Sequence, residues 1–549
     1  MNNSNACSSN APQDFGGQVG LGSISTERTT CTTTATDKCG VADTITAAGE
    51  KATNNTVPAA TSLKQLALEK CKTFMTTDGI PYATITINGH VEYHSLRSQT
   101  MVHYCNKFLH DQTGDIPTKQ EVRRLLDFLE TDAFFKPERV SVHLRITRTN
   151  DAIYINLANA NYEVGKITAA GWQVISSEAA LEDGVRFIRN DRMLPLPIPV
   201  AGGSLELLRS HIKLSHNTDF ILIAAWLLGA FQPNGPYPIL ILQGEQGSGK
   251  SSIARMLAAL IDPSKITIST YPRSERDLAI AASNAHLLSY DNLSGLSPQL
   301  ADAFCRVATG GGFVTRKLYT DDGEQIFTYT RPAIINGISE LLNRHDLTDR
   351  SVVITTTSIK MKDRLPESIM RERWQQDRPL ILGALFSAIS TALANANNVH
   401  LDGYPRMADF CHWVCCAEPA LPWPAGKFLE TYTANRMELV EEGLESDPVS
   451  VVVQTLMDGK AKWEGTPNKL LLDLSATAPE QIKRLKDWPK QPNMMSGKLR
   501  RAATFLREKG LDVEWIKSGN RRIIISRIFS QPAIPLLPSH PCPAIEEGK

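Results

Sequence analysis

Four residues at fixed spacing carry the clearest chemical signal in the sequence: Gly244, Gly249, Lys250 and Ser251. The two glycines let a loop wrap backbone N–H groups around a phosphate, while the lysine neutralises β- and γ-phosphate oxygens and the hydroxyl ligates Mg²⁺. The pattern therefore predicts a site for ATP and Mg²⁺. The predicted phosphate-binding residues are Gly244, Glu245, Gln246, Gly247, Ser248, Gly249, Lys250, Ser251 and Ser252.

The segments on either side of this loop support the same interpretation. Residues 239–242 are all apolar, as expected of a strand buried on both faces of a parallel sheet. Apolar residues then recur at helical spacing at Ile253, Met256 and Leu260. A phosphate loop requires a strand, a loop and a helix in this order, so an accidental turn is the less favoured alternative.

A phosphate site also needs an acid for the metal, and the apolar run 286–291 ends in Asp291. Together with Ser251, this carboxylate would hold Mg²⁺ through its water shell, although an ordinary acid at a strand end is the alternative. The next residue is Asn292, where many such ATPases have an acid that polarises the attacking water. Either another carboxylate acts as the base, with Glu275 and Asp302 as weak candidates, or the protein has no such base and hydrolyses ATP slowly.

Two further residues complete the candidate catalytic set of Lys250, Asp291, Asn336 and Arg350. Asn336 ends the apolar run 332–336, where its amide can hydrogen-bond the γ-phosphate or the attacking water. Arg350 directly precedes another apolar strand, and an arginine there can stabilise charge on the ATP of a neighbouring subunit. A surface salt bridge is the alternative for Arg350.

Between Asp291 and Asn336, the strand-like runs 313–320 and 324–330 flank an Asp-Asp-Gly turn signal. This arrangement predicts a β-hairpin with Arg316 and Lys317 on its first strand.

The order GEQGSGKS, HLLSYDN, TGGGFVTRKLY, RPAIIN and TDRSVV resembles the A, B, B′ and C motifs and the arginine finger of superfamily 3 helicases. The likeness covers residues 204–357 and is strongest to the helicase part of phage, poxvirus and mobile-element primase-helicases. It implies an AAA+ ATPase that assembles as a ring, usually a hexamer, with ATP between subunits. It also implies that the hairpin with Arg316 and Lys317 faces the pore and grips single-stranded DNA.

Length and charge set limits on the rest. A chain of 549 residues is long enough for about three or four domains, and a formal net charge of zero neither requires nor excludes nucleic acid. The apolar run 220–231 is too short to span a membrane and predicts a buried helix. The N-terminus has no secretion signal and the cysteines are few and scattered, which favours a cytoplasmic protein with reduced thiols.

Composition and periodicity predict an α/β fold: a P-loop core with a helical lid and a smaller domain on each side, and the resemblance implies that this core is AAA+-like. The small N-terminal domain mixes a helix at 118–131 with strands at 140–147 and 152–159. The predicted boundaries are a disordered tail at 1–60, an α+β adaptor domain at 61–200, the P-loop ATPase core at 204–357, the lid at 366–446, a winged-helix-like domain at 447–528, and a disordered tail at 529–549.

The C-terminal domain is basic although the whole chain is neutral. Residues 481–527 contain thirteen Lys and Arg against four Asp and Glu, which is typical of a nucleic-acid surface. A helix at 496–510, begun by a Ser cap, and two strands around 518–520 would form the last helix and the wing. The candidate duplex-DNA contacts are Lys498, Arg500, Arg501, Arg507, Lys517, Arg521 and Arg522. A solvated basic helix and hairpin that dock on another domain are the alternative.

Cys411, His412, Cys415 and Cys416 favour packed thiols over a zinc site, because consecutive ligands on one helix point in different directions. The N-terminal domain shows no apolar strand with the closely spaced Asp pair that a primase needs, so it is interpreted as an adaptor or a DNA-contact module.

The leading hypothesis is an ATP-dependent, helicase-like DNA motor in the replication of a phage or mobile element, without a membrane. The first rival is a P-loop ATPase switch or loader that binds DNA without unwinding it, and the second is a structural DNA-binding protein that does not turn ATP over.

Overall fold

The computed structural model describes residues 60–528 apart from 294–295, 317–323, 338–344, 359–365, 402, 486 and 517–520. The predicted tail at 529–549 and the predicted tail at 1–60, apart from Ala60, lie outside the described residues, as do Lys317 and Lys517. Ala60 belongs to a helix. In chain order the described part contains two small sheets, a parallel sheet with helices on both faces, a group of long helices and a last α+β module. The coarse prediction of a mixed α/β protein is confirmed.

The first sheet has the strand order β3-β2-β1-β4, with β4 parallel to β1 and the other pairs antiparallel. Thr118 caps α3 in a capping box with Glu121, so the helix begins directly after it and extends beyond the predicted end at 131. The elements of this part are α1 (Ala60–Lys70), β1 (Lys72–Thr76), β2 (Pro81–Ile87), β3 (His90–Ser95), α2 (Gln99–Thr113), α3 (Lys119–Phe135) and β4 (Arg139–Val140).

The second sheet is an antiparallel meander in sequence order. The single strand predicted over 140–147 is wrong: β4 ends at Val140 and β5 begins at Ile146, because the chain crosses from the first sheet to the second between them. The elements are β5 (Ile146–Arg148), β6 (Ala152–Asn156), β7 (Val164–Thr168), β8 (Gly171–Ile175) and α4 (Ser177–Glu182).

A parallel sheet of order β10-β13-β9-β14 forms the centre of the protein. Leu240 and Leu242 of β9 pack into one apolar cluster and Ile239 and Ile241 into another, so both faces of this strand are buried. The elements are α5 (Glu206–His211), α6 (Asn217–Ala230), β9 (Ile239–Gly244), α7 (Lys250–Ile261), α8 (Glu275–Asn284), β10 (Leu288–Leu293), α9 (Pro298–Thr309), β11 (Phe313–Arg316), β12 (Glu324–Phe327), β13 (Ala333–Gly337), α10 (His345–Thr348) and β14 (Ser351–Thr356).

Three α-helices follow: α11 (Glu367–Asn395), α12 (Ala408–Ala417) and α13 (Lys427–Ser446). Among the described residues, α11 alone is long and apolar enough to cross a membrane, and half of its apolar window is buried in the protein. The sequence predicted helices here, as the lid at 366–446, and no membrane span. A core helix passes the same test, so this is weak evidence for a span.

The last module has a three-stranded sheet of order β15-β17-β16. Its main helix begins at Pro492 rather than at Ser496, so the predicted Ser cap is wrong; proline suits the first helical position and Met495 is fully buried within the added turn. The elements are α14 (Pro448–Met457), β15 (Lys462–Gly465), α15 (Pro467–Thr477), α16 (Glu480–Lys483), α17 (Pro492–Glu508), β16 (Leu511–Ile516) and β17 (Arg522–Arg527).

A buried ion pair joins the second sheet to the parallel one. The fully buried Arg145 guanidinium donates from Nε to Asp262 Oδ1 at 2.8 Å, at the end of α7. Its other nitrogens donate to the carbonyls of Asn156 and Leu194 at 3.0 and 3.1 Å. Asp262 Oδ2 in turn accepts the backbone N–H of His286 at 2.8 Å. Arg145 lies directly before β5 of the second sheet, whereas His286 lies shortly before β10 of the parallel sheet. Asp262 binds both residues and so fixes the second sheet against the parallel sheet.

Arg145→Met is expected to lower the free energy of unfolding by about 3–5 kcal/mol, because it leaves the Asp262 carboxylate buried without its counter-charge. Chemical denaturation followed by far-UV circular dichroism measures this loss. Arg148→Met is the matched control, since Arg148 is an exposed residue on β5. Equal denaturation midpoints for the two variants would contradict the role assigned to the pair.

Stability should also fall as the pH drops. Burial opposes ionisation of Asp262, but the Arg145 charge, with the hydrogen bonds from Arg145 and from the His286 backbone N–H, outweighs it and lowers the pKa of this carboxyl. Burial, assisted by the Arg331 charge, lowers the pKa of His286 below its ordinary 6.5. Both groups bind protons more readily in the unfolded chain, so destabilisation begins below about pH 6.5 with His286 and grows further near pH 4 with Asp262.

Candidate functional site

The glycines of the loop after β9 adopt conformations that other residues rarely adopt. Gly244, Gly247 and Gly249 have φ values of 144°, 81° and 88°. A Cβ on Gly244 would lie 2.2 Å from the carbonyl oxygen of Thr356, so this position also lacks space for a side chain. Gly249 is the N-cap of α7, so the loop leads directly into a helix N-terminus whose N–H groups suit an anion.

Lys250 folds back over the loop. Its Nζ donates to the carbonyl oxygens of Gly244 and Glu245 at 2.7 and 2.8 Å and lies 3.5 Å from Ser248 Oγ. Glu245, Gln246 and Gly247 are exposed. An ammonium held beside exposed loop N–H groups suits a phosphate, because these donors can exchange carbonyl oxygens and water for phosphate oxygens.

The loop is also fixed to the neighbouring strand β14. Ser248 Oγ and Thr356 Oγ1 form a buried hydrogen bond of 2.7 Å, and Thr356 Oγ1 donates to the Gln243 carbonyl at 3.0 Å. The sequence did not predict this role for Thr356. The indication it offers is a hydroxyl residue at the end of an apolar strand, β14, which pairs with the strand that precedes the loop.

Asp291 joins two of the other predicted residues. Ser251 Oγ donates to Asp291 Oδ2 at 2.8 Å, and Asn336 Nδ2 donates to Asp291 Oδ1 at 3.2 Å. The strand order explains this, because β13 lies between β10 and β9 and the carboxyl ends of parallel strands meet at one edge. Asn336 is fully buried and its Oδ1 has no partner among the described residues. Hydroxyl and carboxylate oxygens together fit Mg²⁺, which prefers oxygen ligands.

The identity of the catalytic base stays open. Asn292 lies at an irregular step in the pairing of β10 with β13, between Tyr290 and Leu293, and its side chain is outside the described part. Glu275 accepts a hydrogen bond of 2.7 Å from Arg306 Nη2, so that carboxylate is already paired. Asp302 is an exposed residue on α9.

Arg350 lies far from the phosphate loop of its own chain. Its carbonyl accepts the N–H of Ile239 at 2.9 Å, at the start of β9, whereas the loop begins at Gly244. Five residues of strand span about 16 Å, so the two lie at opposite edges of the sheet. The guanidinium donates from Nη1 to the Asp346 carbonyl at 2.8 Å.

The residue before Arg350 is clamped by two arginines. The Asp349 carboxylate is 8% exposed and lies 2.7 Å from Arg406 Nε and 2.5 Å from Arg436 Nη2. Arg436, on α13, is also 4.0 Å from Glu508 on α17. The sequence did not predict a role for Asp349, because its two arginine partners are distant in sequence. The one local indication was its position as an acid directly before Arg350. The clamp holds the turn that presents Arg350.

Some of the predicted DNA-contact side chains are exposed, whereas others already pair with an acid or a ring of the protein. β11 and β12 pair antiparallel, with Arg316 opposite Glu324, but the side chain of Arg316 lies outside the description. In the C-terminal module Arg501 and Arg521 are exposed. The paired residues are Lys498 with Asp487 at 3.3 Å, Arg507 with Asp512 at 2.9 Å, Arg522 with Glu464 at 3.1 Å, and Arg500 over the Trp515 ring at 5.8 Å.

The cysteines of α12 are packed inside the protein. Cys411, Cys415 and Cys416 are buried, and burial raises the pKa of the Cys411 and Cys416 thiols to about 12. His412 Nε2 lies 2.9 Å from the Val399 carbonyl. Within the described ranges no three or more of His, Cys, Asp and Glu form a group that could hold a metal ion.

Comparison with known proteins gives two family matches. Residues 205–441 match the family model of the actinomycete integrative conjugative element replication protein, and residues 449–533 match the model of the C-terminal domain of the same RepA family. The chain is thus similar to replication proteins of mobile elements, which confirms the coarse part of the expectation; the superfamily 3 assignment stays a prediction. A search of curated proteins finds no match.

Solved structures are similar at low identity. The active helicase Cch of SCCmec type IV is 12% identical with a TM-score of 0.44, covering 83% of this chain and 92% of the other. The apo C-terminal region of NrS-1 is 13% identical with a TM-score of 0.38, covering 85% of this chain and 98% of the other.

Proposed function

We propose that the chain is an ATP-dependent DNA motor of superfamily 3 type that acts in the replication of a mobile element. The observation that carries this proposal is the meeting of Ser251, Asp291 and Asn336 beside a glycine loop that ends in Lys250. The family matches over residues 205–441 and 449–533 support replication as the process.

Each residue of this site has a role that its contacts support. Lys250 and the loop N–H groups bind the phosphates, while Ser251 and Asp291 would hold Mg²⁺, which neutralises β- and γ-phosphate charge when bound. Asn336 donates to Asp291 and so fixes the carboxylate, while its free Oδ1 can accept a hydrogen bond from the attacking water. The buried Ser248–Thr356 bond keeps the loop in its phosphate-binding shape.

The position of Arg350 supports a site shared between subunits. Because Arg350 lies at the sheet edge opposite its own phosphate loop, a catalytic role for it requires the site of a neighbouring chain. We therefore propose a closed homo-oligomeric ring, with a hexamer as the expected size. Two surfaces would then contact DNA: the hairpin with Arg316 and Lys317 a single strand, and the basic C-terminal module a duplex.

A second function is favoured by one observation. Asn292 follows Asp291 where an activating acid is expected, and Glu275 is already paired with Arg306. Without an activating acid, ATP hydrolysis would be slow. Slow hydrolysis is sufficient for a P-loop ATPase that switches conformation on DNA, as a loader does.

ATP hydrolysis by the full chain with and without single-stranded DNA separates these functions. The motor predicts hydrolysis that DNA stimulates and unwinding of a forked duplex. Slow hydrolysis that DNA does not change would favour the switch, whereas no hydrolysis despite ATP binding would leave a structural nucleotide-binding protein.

Duplex binding through the C-terminal module should depend on Arg501 and Arg521, the two exposed arginines among the predicted contacts that make no ion pair within the described residues. Arg501→Ala with Arg521→Ala is expected to weaken duplex binding and to reduce the slope of log K against log salt by about 0.9 per lost phosphate contact. Fluorescence anisotropy across a salt series measures both quantities. The control is Arg123→Ala with Arg371→Ala, which removes the same charge from exposed positions on α3 and α11. An unchanged slope would place the duplex elsewhere.

A further inference from the structure

A large cleft lies on the side of the parallel sheet opposite the phosphate loop. The cavity measures about 1130 Å³ and is lined by residues 76–80, 142–147 and 328–331, among others. Of the lining residues, His286 precedes β10 and Arg331 precedes β13, so the cleft lies at the amino ends of the strands whose carboxyl ends carry Asp291 and Asn336. The cleft is therefore separate from the proposed ATP site.

The cleft carries net positive charge. Its wall contains Arg97, Arg189 and Arg331 against one carboxylate, Asp78. Arg145 is neutralised by Asp262, and Arg97 lies 3.5 Å from Glu130 outside the wall, so the net positive charge rests on Arg189 and Arg331. Burial and the Arg331 charge lower the pKa of His143 to about 4, so this wall histidine is neutral at pH 7.

Two of the three arginines are held by neutral groups. Arg331 donates from Nε to the Ala282 carbonyl at 2.9 Å and from Nη1 to the Thr330 carbonyl at 3.3 Å. Arg189 donates to the Asn159 carbonyl at 2.7 Å and stacks on Tyr162 at 3.6 Å. Neither is in an ion pair among the described residues, so both keep their charge for an anion.

Aromatic rings accompany these charges. Tyr82 and Tyr329 line the cleft and both are partly exposed. The Arg331 guanidinium lies 5.1 Å from the Tyr329 ring centre, and Tyr82 stacks on Phe74 at 5.9 Å. A cationic groove with aromatic rings on its wall is the arrangement that binds the backbone and bases of a single-stranded nucleic acid.

We propose that this cleft binds single-stranded DNA at a site distinct from the hairpin and the C-terminal module. The choice of DNA rests on the proposed function, while the anionic, base-bearing character of the ligand rests on the cleft itself. The cleft is larger than pockets that enclose one small ligand, about 300–1,000 Å³, which favours several linked nucleotides over a free one. Strand β12 leads directly into residues 328–331 of the wall, so DNA gripped by the hairpin can continue into the cleft.

Photocrosslinking and charge reversal test the site in the full chain without ATP. An oligonucleotide of about 15 residues with 5-iodouracil should form adducts on peptides that contain Tyr82 or Tyr329. Arg97→Glu should weaken binding about fivefold or more and reduce the salt slope by at least about 0.7, the value for one single-strand phosphate contact. The matched control is Arg371→Glu: the two arginines are 67% and 68% exposed and each pairs weakly with a glutamate.

Three outcomes would overturn the proposal. Adducts found only on other peptides would place the strand elsewhere, and equal affinity of the Arg97 and Arg371 variants would remove the charge argument. Competition by a free mononucleotide as effective as the oligonucleotide would reassign the cleft to a small ligand. Failure of the motor proposal gives a different result, since hydrolysis without DNA stimulation leaves the adducts and the affinity difference in place.

Discussion

Lys250→Ala is expected to reduce the kcat for ATP hydrolysis by about 10²–10³-fold or more, because it removes the charge that stabilises the β/γ-phosphates in the transition state. The fold should tolerate the change. The two carbonyl oxygens that Lys250 contacts belong to Gly244 and to the exposed Glu245, so water can replace the ammonium. Steady-state phosphate release measures the loss.

Lys265→Ala is the matched control, since Lys265 is an exposed lysine shortly after α7. Equal melting temperatures for both variants would show that the lost activity is chemical rather than a folding defect. If the Lys250→Ala variant hydrolyses ATP at the wild-type rate, the phosphate loop takes no part in hydrolysis. Both the motor and the switch proposals would then be wrong.

Local signals were enough for the segments that surround this loop. The apolar run 239–242, the glycine spacing and the helix pattern after Lys250 each depend on neighbours in sequence, and the structure forms β9 and α7 there. Asp291 and Asn336 ended apolar runs, and parallel strands place such ends at one edge. Asp291 and Asn336 touch because β10 and β13 are neighbours in the sheet. The sequence indicated this strand order only through its resemblance to superfamily 3 helicases.

Long-range polar contacts could not be predicted in this way. Arg145 was hidden inside an apparent strand because its alternation with Val142 and Leu144 is typical of a sheet, whereas its partner Asp262 lies 117 residues away. Asp349 pairs with Arg436 across 87 residues. Only tertiary packing selects such partners. Similarly, the start of α17 was set by Pro492 and the buried Met495 rather than by the local cap signal at Ser496.

The clamp at Asp349 gives the proposed arginine finger a connection to the rest of the chain. Arg436 contacts Asp349 and lies 4.0 Å from Glu508, on the helix that carries Arg500 and Arg501. Phe505 of the same helix lines a small cavity with Thr348 and Asp349. The helix that carries two of the proposed duplex contacts therefore lies beside the turn that presents Arg350.

Arg350→Ala is expected to lower kcat by about 10³–10⁵-fold while nucleotide binding is kept, because an arginine supplied in trans stabilises charge only in the transition state. The distance between Arg350 and Gly244 makes this variant informative, since the altered residue cannot touch the nucleotide of its own chain. Phosphate release and the affinity for a fluorescent ATP analogue measure the two effects. Arg371→Ala, at an exposed position on α11, should change neither.

Mixing two inactive variants then tests whether the site is shared. In a ring assembled from equal amounts of Arg350→Ala and Lys250→Ala chains, about a quarter of the interfaces combine an intact loop from one chain with an intact arginine from the other. Activity should therefore reappear on mixing, although each variant alone is inactive. If pull-down through an affinity tag on one variant verifies that both share a ring and the mixture stays inactive, Arg350 does not act in trans. Because its own loop lies at the opposite edge of the sheet, the arginine would then have no catalytic role, and the turn held by Asp349 would be structural.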